Sequence, residues 1–434
     1  MSMFPLRSRC FSDLPDEITT EIFSYLNLED LAYTVPKVST KWEELSQDYT
    51  IWKNKVFTPT DDMETKEIIK LLKHMPALKS FSGGNLSFHD VNLIIDTIRT
   101  SCKDLESIYL KSEPTVSVSN FNKLVEALPQ LKELSIPFSH SHLEGCSLPI
   151  SKLQSLTHVT FVEDRPSGYI PSSSMTQIAD GCSSLKHVNF QSSAFDKTSI
   201  EYFLRKKQKQ LVSLKIQCIL SPSAFNCIVE CENLKNLICR CYFKANMEPE
   251  NIIAMQKLKK LERLDLHLFS NKLSKAVPDL FQTGALSRVT KLRLEVDEFN
   301  ASDLNQVIMC SPQLTTFHIR VRGEVDFDEA LKNIGNCRNL SKLVLENSNG
   351  VSGKCLDRVA ESCPNLRSLG VPYTTESGLD LTSSIKMKKL DEVTVHCKQR
   401  SVDDNPYLLP NLDDFFVVLK SYYKQTLKTN IVII

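Results

Sequence analysis

The stretch Leu261-Glu262-Arg263-Leu264-Asp265-Leu266 decides the reading of the fold. Its apolar residues stand first, fourth and sixth, and the last two, being two apart, fall on one face of a short strand. Towards the N-terminus the pattern recurs as Leu234-Leu237-Cys239, Leu211-Leu214-Ile216, Leu185-Val188-Phe190, Leu156-Val159-Phe161, Leu131-Leu134-Ile136 and Leu105-Ile108-Leu110. A degenerate first copy begins at Leu78 with Phe81. Towards the C-terminus it reads Val289-Leu292-Leu294, Leu314-Phe317-Ile319, Leu340-Leu343-Leu345, Leu366-Leu369-Val371, Leu390-Val393-Val395 and Leu412-Phe415-Val417. From Leu78 to Leu412 the copies recur about every 26 residues, inside the range of about 20–29 that suits a strand-plus-helix unit. Helical stretches such as Val91–Ile98, Phe121–Leu128 and Leu356–Ala360 lie between the strands. One strand and one helix cannot close a core alone, so the units must stack.

This period and pattern resemble the leucine-rich repeat. The expected fold class is α/β: a leucine-rich-repeat solenoid of horseshoe form over residues 78–434, with about 13–14 repeats and a C-terminal cap. Cys102, Cys182, Cys231, Cys337 and Cys363 stand three positions before the first leucine of a copy, and Cys310 four before, which resembles the cysteine-containing class of repeat. A thiol there can donate its weak S–H to a backbone carbonyl at the helix-to-strand turn. The rival reading is zinc at the densest cluster, Cys227, Cys231, Cys239 and Cys241. No C-x-x-C pair exists, and repeat phase or helix face accounts for each cysteine, so no metal is expected.

Composition narrows the function. With 52 basic and 52 acidic residues, the chain has no overall attraction to nucleic acid or an anionic membrane, and neither is expected as a partner. Only 12 of 434 residues are glycine, and neither G-x-G-x-x-G nor G-x-x-x-x-G-K-[ST] occurs, so no phosphate-cradling loop and no cofactor is expected. H-E-x-x-H, G-x-S-x-G and the kinase motif set are also missing, and the nine histidines are scattered. Met1–Phe11 does not read as a signal peptide, and no run reaches the roughly 18 apolar residues of a membrane span. The expectation is a soluble protein of cytoplasm or nucleus with reduced thiols. The N-x-[ST] matches at Asn85, Asn300 and Asn339 then have no role.

The variable positions between strand leucines face away from the core. In the middle copies they are Arg240, Arg263, Asp265, His267, Lys291, Arg293, Glu295, His318, Arg320, Lys342 and Glu346, a locally basic strip in a neutral chain. A plain solvated sheet face is one reading. The other is a docking surface for an acidic or phosphorylated segment, with Arg240, Arg263, His267, Lys291, Arg293, His318, Arg320 and Lys342 as the candidate contacts.

Residues 8–57 fall outside the repeat. Pro15 with Asp16 and Glu17 makes a good helix start, and Leu14, Ile18, Ile22 and Tyr25 or Leu26 share one face. Asn27 can cap a second helix, Pro36 should break the chain, and a third helix should carry Val38, Trp42 and Leu45, before Ile51, Trp52 and Val56. A unit of about 45 residues is near the lower limit for folding alone. This one holds both tryptophans of the chain and more apolar surface than it can readily bury, so either a partner or the adjacent repeats must cover it.

Leu14-Pro15-Asp16-Glu17-Ile18, Tyr25-Leu26, Asp30-Leu31, Val38, Trp42 and Trp52 resemble the F-box in order and spacing. Two departures stand out: Ser39-Thr40-Lys41 follows the valine, where Cys-Lys or Ser-Arg is common, and Pro36 falls where many members stay helical. Coupled to the repeats, this resembles the F-box and leucine-rich-repeat class of substrate receptors. The resemblance implies a non-catalytic chain that binds the adaptor subunit of an SCF-type ligase and, through it, a cullin and a RING protein, while the repeats present a protein substrate for ubiquitination. It assigns adaptor contact to Leu14, Pro15, Ile18, Ile22, Leu26, Leu31, Val38, Trp42 and Trp52, with Ile22 and Leu31 the most apt to be internal. The alternative is a repeat scaffold working outside ubiquitination.

Residues 58–77 read as a linker and N-terminal cap helix, with Ile68, Ile69, Leu71 and Leu72 apolar. Phe415–Leu419 reads as a late strand, Tyr422, Tyr423 and Leu427 as a closing helix, and Ile431–Ile434 as one further edge strand. The stretch 165–174 lengthens one interval and is expected on the surface, where loops are free to make contacts.

Overall fold

The computed structural model describes residues 11, 14–60, 62–83, 86, 90–110, 116–138, 149–163, 172–191, 197–240, 242–243, 246–282, 284–346, 351–373, 386–397 and 430–433. The expected loop at 165–174 falls largely outside these, and the expected strand and helix at 415–427 fall wholly outside them. The chain forms two compact units, residues 1–203 and 204–434.

The first unit begins with three helices, α1 (Asp16–Ser24), α2 (Thr40–Ser46) and α3 (Tyr49–Trp52), followed by a cap helix, α4 (Thr65–Lys73). Its strands are β1 (Val56–Phe57), β2 (Ser80–Gly83), β3 (Ser107–Leu110), β4 (Glu133–Phe138), β5 (His158–Glu163) and β6 (His187–Gln191), each parallel to the next. Parallel neighbours need a crossover, and helices such as Val91–Ser101 and Val118–Ala127 supply it. The α4 helix opens with a reciprocal capping box between Glu64 and Glu67 and buries Ile68, Leu71 and Leu72, closing the open end of the first repeat.

The second unit holds β7 (Ser213–Gln217), β8 (Ile219–Leu220), β9 (Asn236–Cys239), β10 (Tyr242–Phe243), β11 (Arg263–Leu268), β12 (Lys291–Val296), β13 (Thr316–Val321), β14 (Lys342–Glu346), β15 (Ser368–Tyr373), β16 (Glu392–Cys397) and β17 (Asn430–Ile433). Its main parallel ladder runs β7-β9-β11-β12-β13-β14-β15-β16-β17, and β8 pairs with β10 apart from it. Leu264, Leu292, Phe317, Leu343, Leu369 and Val393 stand in one row across six strands, all buried. The fourth position of these six patterns therefore feeds one continuous apolar layer. The side of β16 away from β15 is taken by Asn430–Ile433, and the expected copy at Leu412-Phe415-Val417 lies outside the described residues.

The cysteines behave as the repeat phase requires. Cys102, Cys182 and Cys337 are buried, and their thiols meet backbone oxygens of Leu72, Ile150 and Ser311 at 3.5, 3.4 and 3.3 Å. Burial pushes the Cys102 and Cys337 thiols up to about 12, where the reactive thiolate is scarce. Both should stay unmodified when the folded chain meets iodoacetamide at pH 8, and react once it is denatured; mass mapping of the alkylated peptides reads the difference. Among the described residues no group of three or more His, Cys, Asp or Glu side chains is placed to hold a metal ion, and no helix is long and apolar enough to cross a membrane.

Candidate functional site

The three-helix head has two apolar faces, and only one is used internally. From α1, Phe23 points inward with Thr19, and joins Leu31, Ala32, Val35, Ile51 and Trp52 in the head's own core. Trp52 is 1% exposed, and its indole Nε1–H donates to the Ser46 carbonyl at 2.8 Å. The rings of Phe11 and Phe23 both stand 5.1 Å from Trp42, which is half-buried. The other face of α1 presents Ile18 (48% exposed), Ile22 (37%) and Tyr25 (80%) at i, i+4 and i+7, one stripe along the helix. Val38, 56% exposed, follows the turn that leads into α2.

Local chemistry explains why this face stays outward. Asn27 ends the first helical segment by accepting the Asp30 backbone N–H at 2.7 Å, the expected cap. Beyond it the chain tightens irregularly, through a π-turn at Asp30–Thr34 and a 3-10 turn at Val35–Lys37 that holds Pro36. Val38 does not enter the third helical segment as expected. Ser39 caps it instead, accepting the Trp42 N–H at 3.2 Å, and leaves Val38 outside.

The candidate adaptor contacts divide accordingly. Pro15, Ile18, Ile22 and Val38 are exposed, Leu14, Leu26 and Trp42 are half-buried, and Leu31 and Trp52 are sealed inside. The last two are corrected to core residues, because a side chain with no surface cannot meet a partner without unfolding. Ile22, expected inside, is outside: α1 turns Phe23 inward and its neighbour cannot follow.

The repeats cover part of the head. Val56–Phe57 joins Ser80–Phe81 as an edge strand, the Tyr33 ring meets His74 at 5.2 Å, and Lys70 and Lys79 lie over Tyr33 and Tyr49. None of these contacts involves Ile18, Ile22, Tyr25 or Val38, so attachment to the repeats leaves the stripe uncovered.

On the sheet face of the second unit, strand register sorts the basic strip. Asp265 is 1% exposed and lies 2.8 Å from Arg240 Nη2 and 3.0 Å from His267 Nε2, with Arg293 Nε at 4.0 Å. His267 reaches Glu295 at 3.2 Å through its other ring nitrogen. Arg320 stands 3.8 Å from Glu295 and 3.6 Å from Glu346, and His318 meets Glu346 at 2.6 Å. Burial would raise the Asp265 carboxyl, but His267 and Arg240 outweigh it and bring it down to about 2. Glu346, also subject to burial, is held below its ordinary value by His318, with His396 and Arg320 adding to the effect.

Arg240, His267, Arg293, His318 and Arg320 are therefore engaged by carboxylates of their own chain. The expectation that all eight basic side chains stand ready for a ligand is corrected, because the interleaved acids fall within ion-pair reach once the strands are in register. Arg263, Arg293 and Arg320 do share one face, and Arg263, Lys291 and Lys342 alone of the eight are exposed with no ion pair to another described residue.

A family model described as F-box-like matches residues 11–58. Among solved structures, a leucine-rich-repeat protein of Leptospira interrogans is 16% identical, with 96% of this chain and 97% of that chain covered at a TM-score of 0.40. An internalin of Listeria monocytogenes is 14% identical, with 84% and 93% covered and the same TM-score.

Proposed function

We propose that this chain, which carries an F-box-like segment at residues 11–58 followed by strands in leucine-rich-repeat spacing, is the substrate-recognition subunit of an SCF-type cullin–RING ubiquitin ligase. The stripe Ile18-Ile22-Tyr25 with Val38 carries this reading, since a head that has already filled its own core still turns large apolar side chains to solvent. The adaptor subunit covers that stripe, with Leu14, Pro15, Leu26 and Trp42 at its margin. Cullin and RING protein join through the adaptor. The repeats hold a protein substrate so that its lysines lie near the ubiquitin thioester, which is a contribution of proximity and needs no nucleophile or base from this chain. Such an assembly places the protein in cytoplasm or nucleus.

The test is reconstitution with purified full-length chain, adaptor, cullin and RING protein. Co-elution of all four on size exclusion, with the chain dropping out when the adaptor is omitted, is the expected result. A chain that elutes alone in the presence of adaptor overturns the proposal and leaves a repeat scaffold.

A further inference from the structure

On the sheet face of the second unit, the residues divide by depth as well as by charge. The inner rows carry Asp265, Glu295 and Glu346, whose charges are met by Arg240, His267, Arg293, His318 and Arg320. The first row, at the N-terminal ends of the strands, reads Asn236, Arg263, Lys291, Thr316, Lys342, Ser368 and Glu392 in direct register. Its three cations are exposed and have no ion pair among the described residues, while its one carboxylate, Glu392, stands two strands beyond Lys342 and accepts the Ser368 hydroxyl at 3.1 Å.

The row is thus a cationic ledge beside a neutralised floor. The floor acids do not offset it, because their charge is already balanced within ion-pair distance. Adjacent strands lie about 4.8 Å apart, so Arg263 to Lys342, three strands, spans about 14 Å. An extended segment rises about 3.3 Å per residue, so four or five residues laid across the strands cover the row.

We propose that Arg263, Lys291 and Lys342 form the docking ledge for an extended aspartate- and glutamate-rich segment of a partner protein. Arg263 presents the planar fork that pairs a carboxylate with two hydrogen bonds, and the two lysines supply mobile ammonium groups at the far end. Thr316, between the lysines, is half-buried and adds a hydroxyl without bulk. This deepens the reading of the repeats as a substrate-holding surface and rests on it.

The test uses the full-length chain and fluorescein-labelled decaglutamate, with decaglutamine and a phosphoserine-containing neutral decapeptide as comparison probes, read by fluorescence anisotropy at low and high salt. The triple variant Arg263→Ala, Lys291→Ala, Lys342→Ala is compared with Lys66→Ala, Lys123→Ala, Lys259→Ala, which removes the same charge from exposed positions elsewhere. Circular dichroism confirms that both fold. The expected result is salt-sensitive binding of decaglutamate, weakened about tenfold or more by the ledge variant and less than about twofold by the control. Equal binding to both variants, no binding at all, or binding of the phosphoserine probe alone overturns the proposal. Adaptor capture is measured on the same samples. Its retention with a failed decaglutamate result removes the ledge and keeps the ligase reading, whereas its loss from the unaltered chain removes the ligase reading itself.

Discussion

Changing Ile18 and Ile22 together to aspartate is expected to cost at least about a thousandfold in adaptor affinity, because two buried anchor positions are worth about 2 kcal/mol or more each and every 1.4 kcal/mol is tenfold. Neither side chain belongs to the sealed core of Phe23, Leu31, Val35, Ile51 and Trp52, so that core is kept. Aspartate within a helix carries only a small propensity cost. Surface plasmon resonance of the full chain over immobilised adaptor reads the affinity, and thermal unfolding reads the fold. Lost binding with an unchanged melting temperature is the predicted pair. Trp52→Ala serves as the contrast: it removes the indole and its hydrogen bond to Ser46, and should lower affinity only by loosening the whole head, visible in the melt.

The second large effect concerns stability. Asp265→Asn keeps the shape of a fully buried side chain but deletes the charge that faces Arg240, His267 and Arg293. Its loss at neutral pH should cost about 2–3 kcal/mol, as expected for a carboxyl brought from an unfolded value near 3.9 to about 2. For a unit of this size that corresponds to a melting temperature lower by about 4–10 °C. The sign follows from the direction of the shift. A depressed carboxyl contributes fully above its unfolded value, and the contribution disappears as pH falls through about 2. The gap between wild type and Asp265→Asn should therefore be full at pH 7, begin to narrow near pH 4 and close towards pH 2. Scanning calorimetry across that range measures it, and a gap independent of pH would assign the stabilisation to shape rather than charge.

Much of the repeat core was legible from residue spacing alone. An apolar pair two apart, preceded by a third three residues earlier, has one arrangement that buries all three, and Leu261, Leu264 and Leu266 are buried as that requires. The thiols were legible for the same reason, since their phase relative to the strand put them at the turn. The charged strip was not. Which acid meets which base depends on strands 25 to 28 residues apart coming into register, so composition showed six cations against three acids and missed that register neutralises the inner rows. In the head, the 3.6-residue period located the stripe of α1. It did not reveal that a π-turn and Ser39 would leave Val38 outside, or that Trp52 would be spent internally. Local hydrogen bonds decided those positions, and apolar periodicity does not register them.

Hydrogen exchange on the full-length chain, with and without saturating adaptor, tests the outward face most directly. Binding should slow exchange in peptides covering residues 14–26 and 38–46 while those of β11 to β14 exchange as before, since the apolar stripe proposed to meet the adaptor lies on α1 and at Val38. Protection confined to the sheet strands, with α1 exchanging unchanged, would contradict the account.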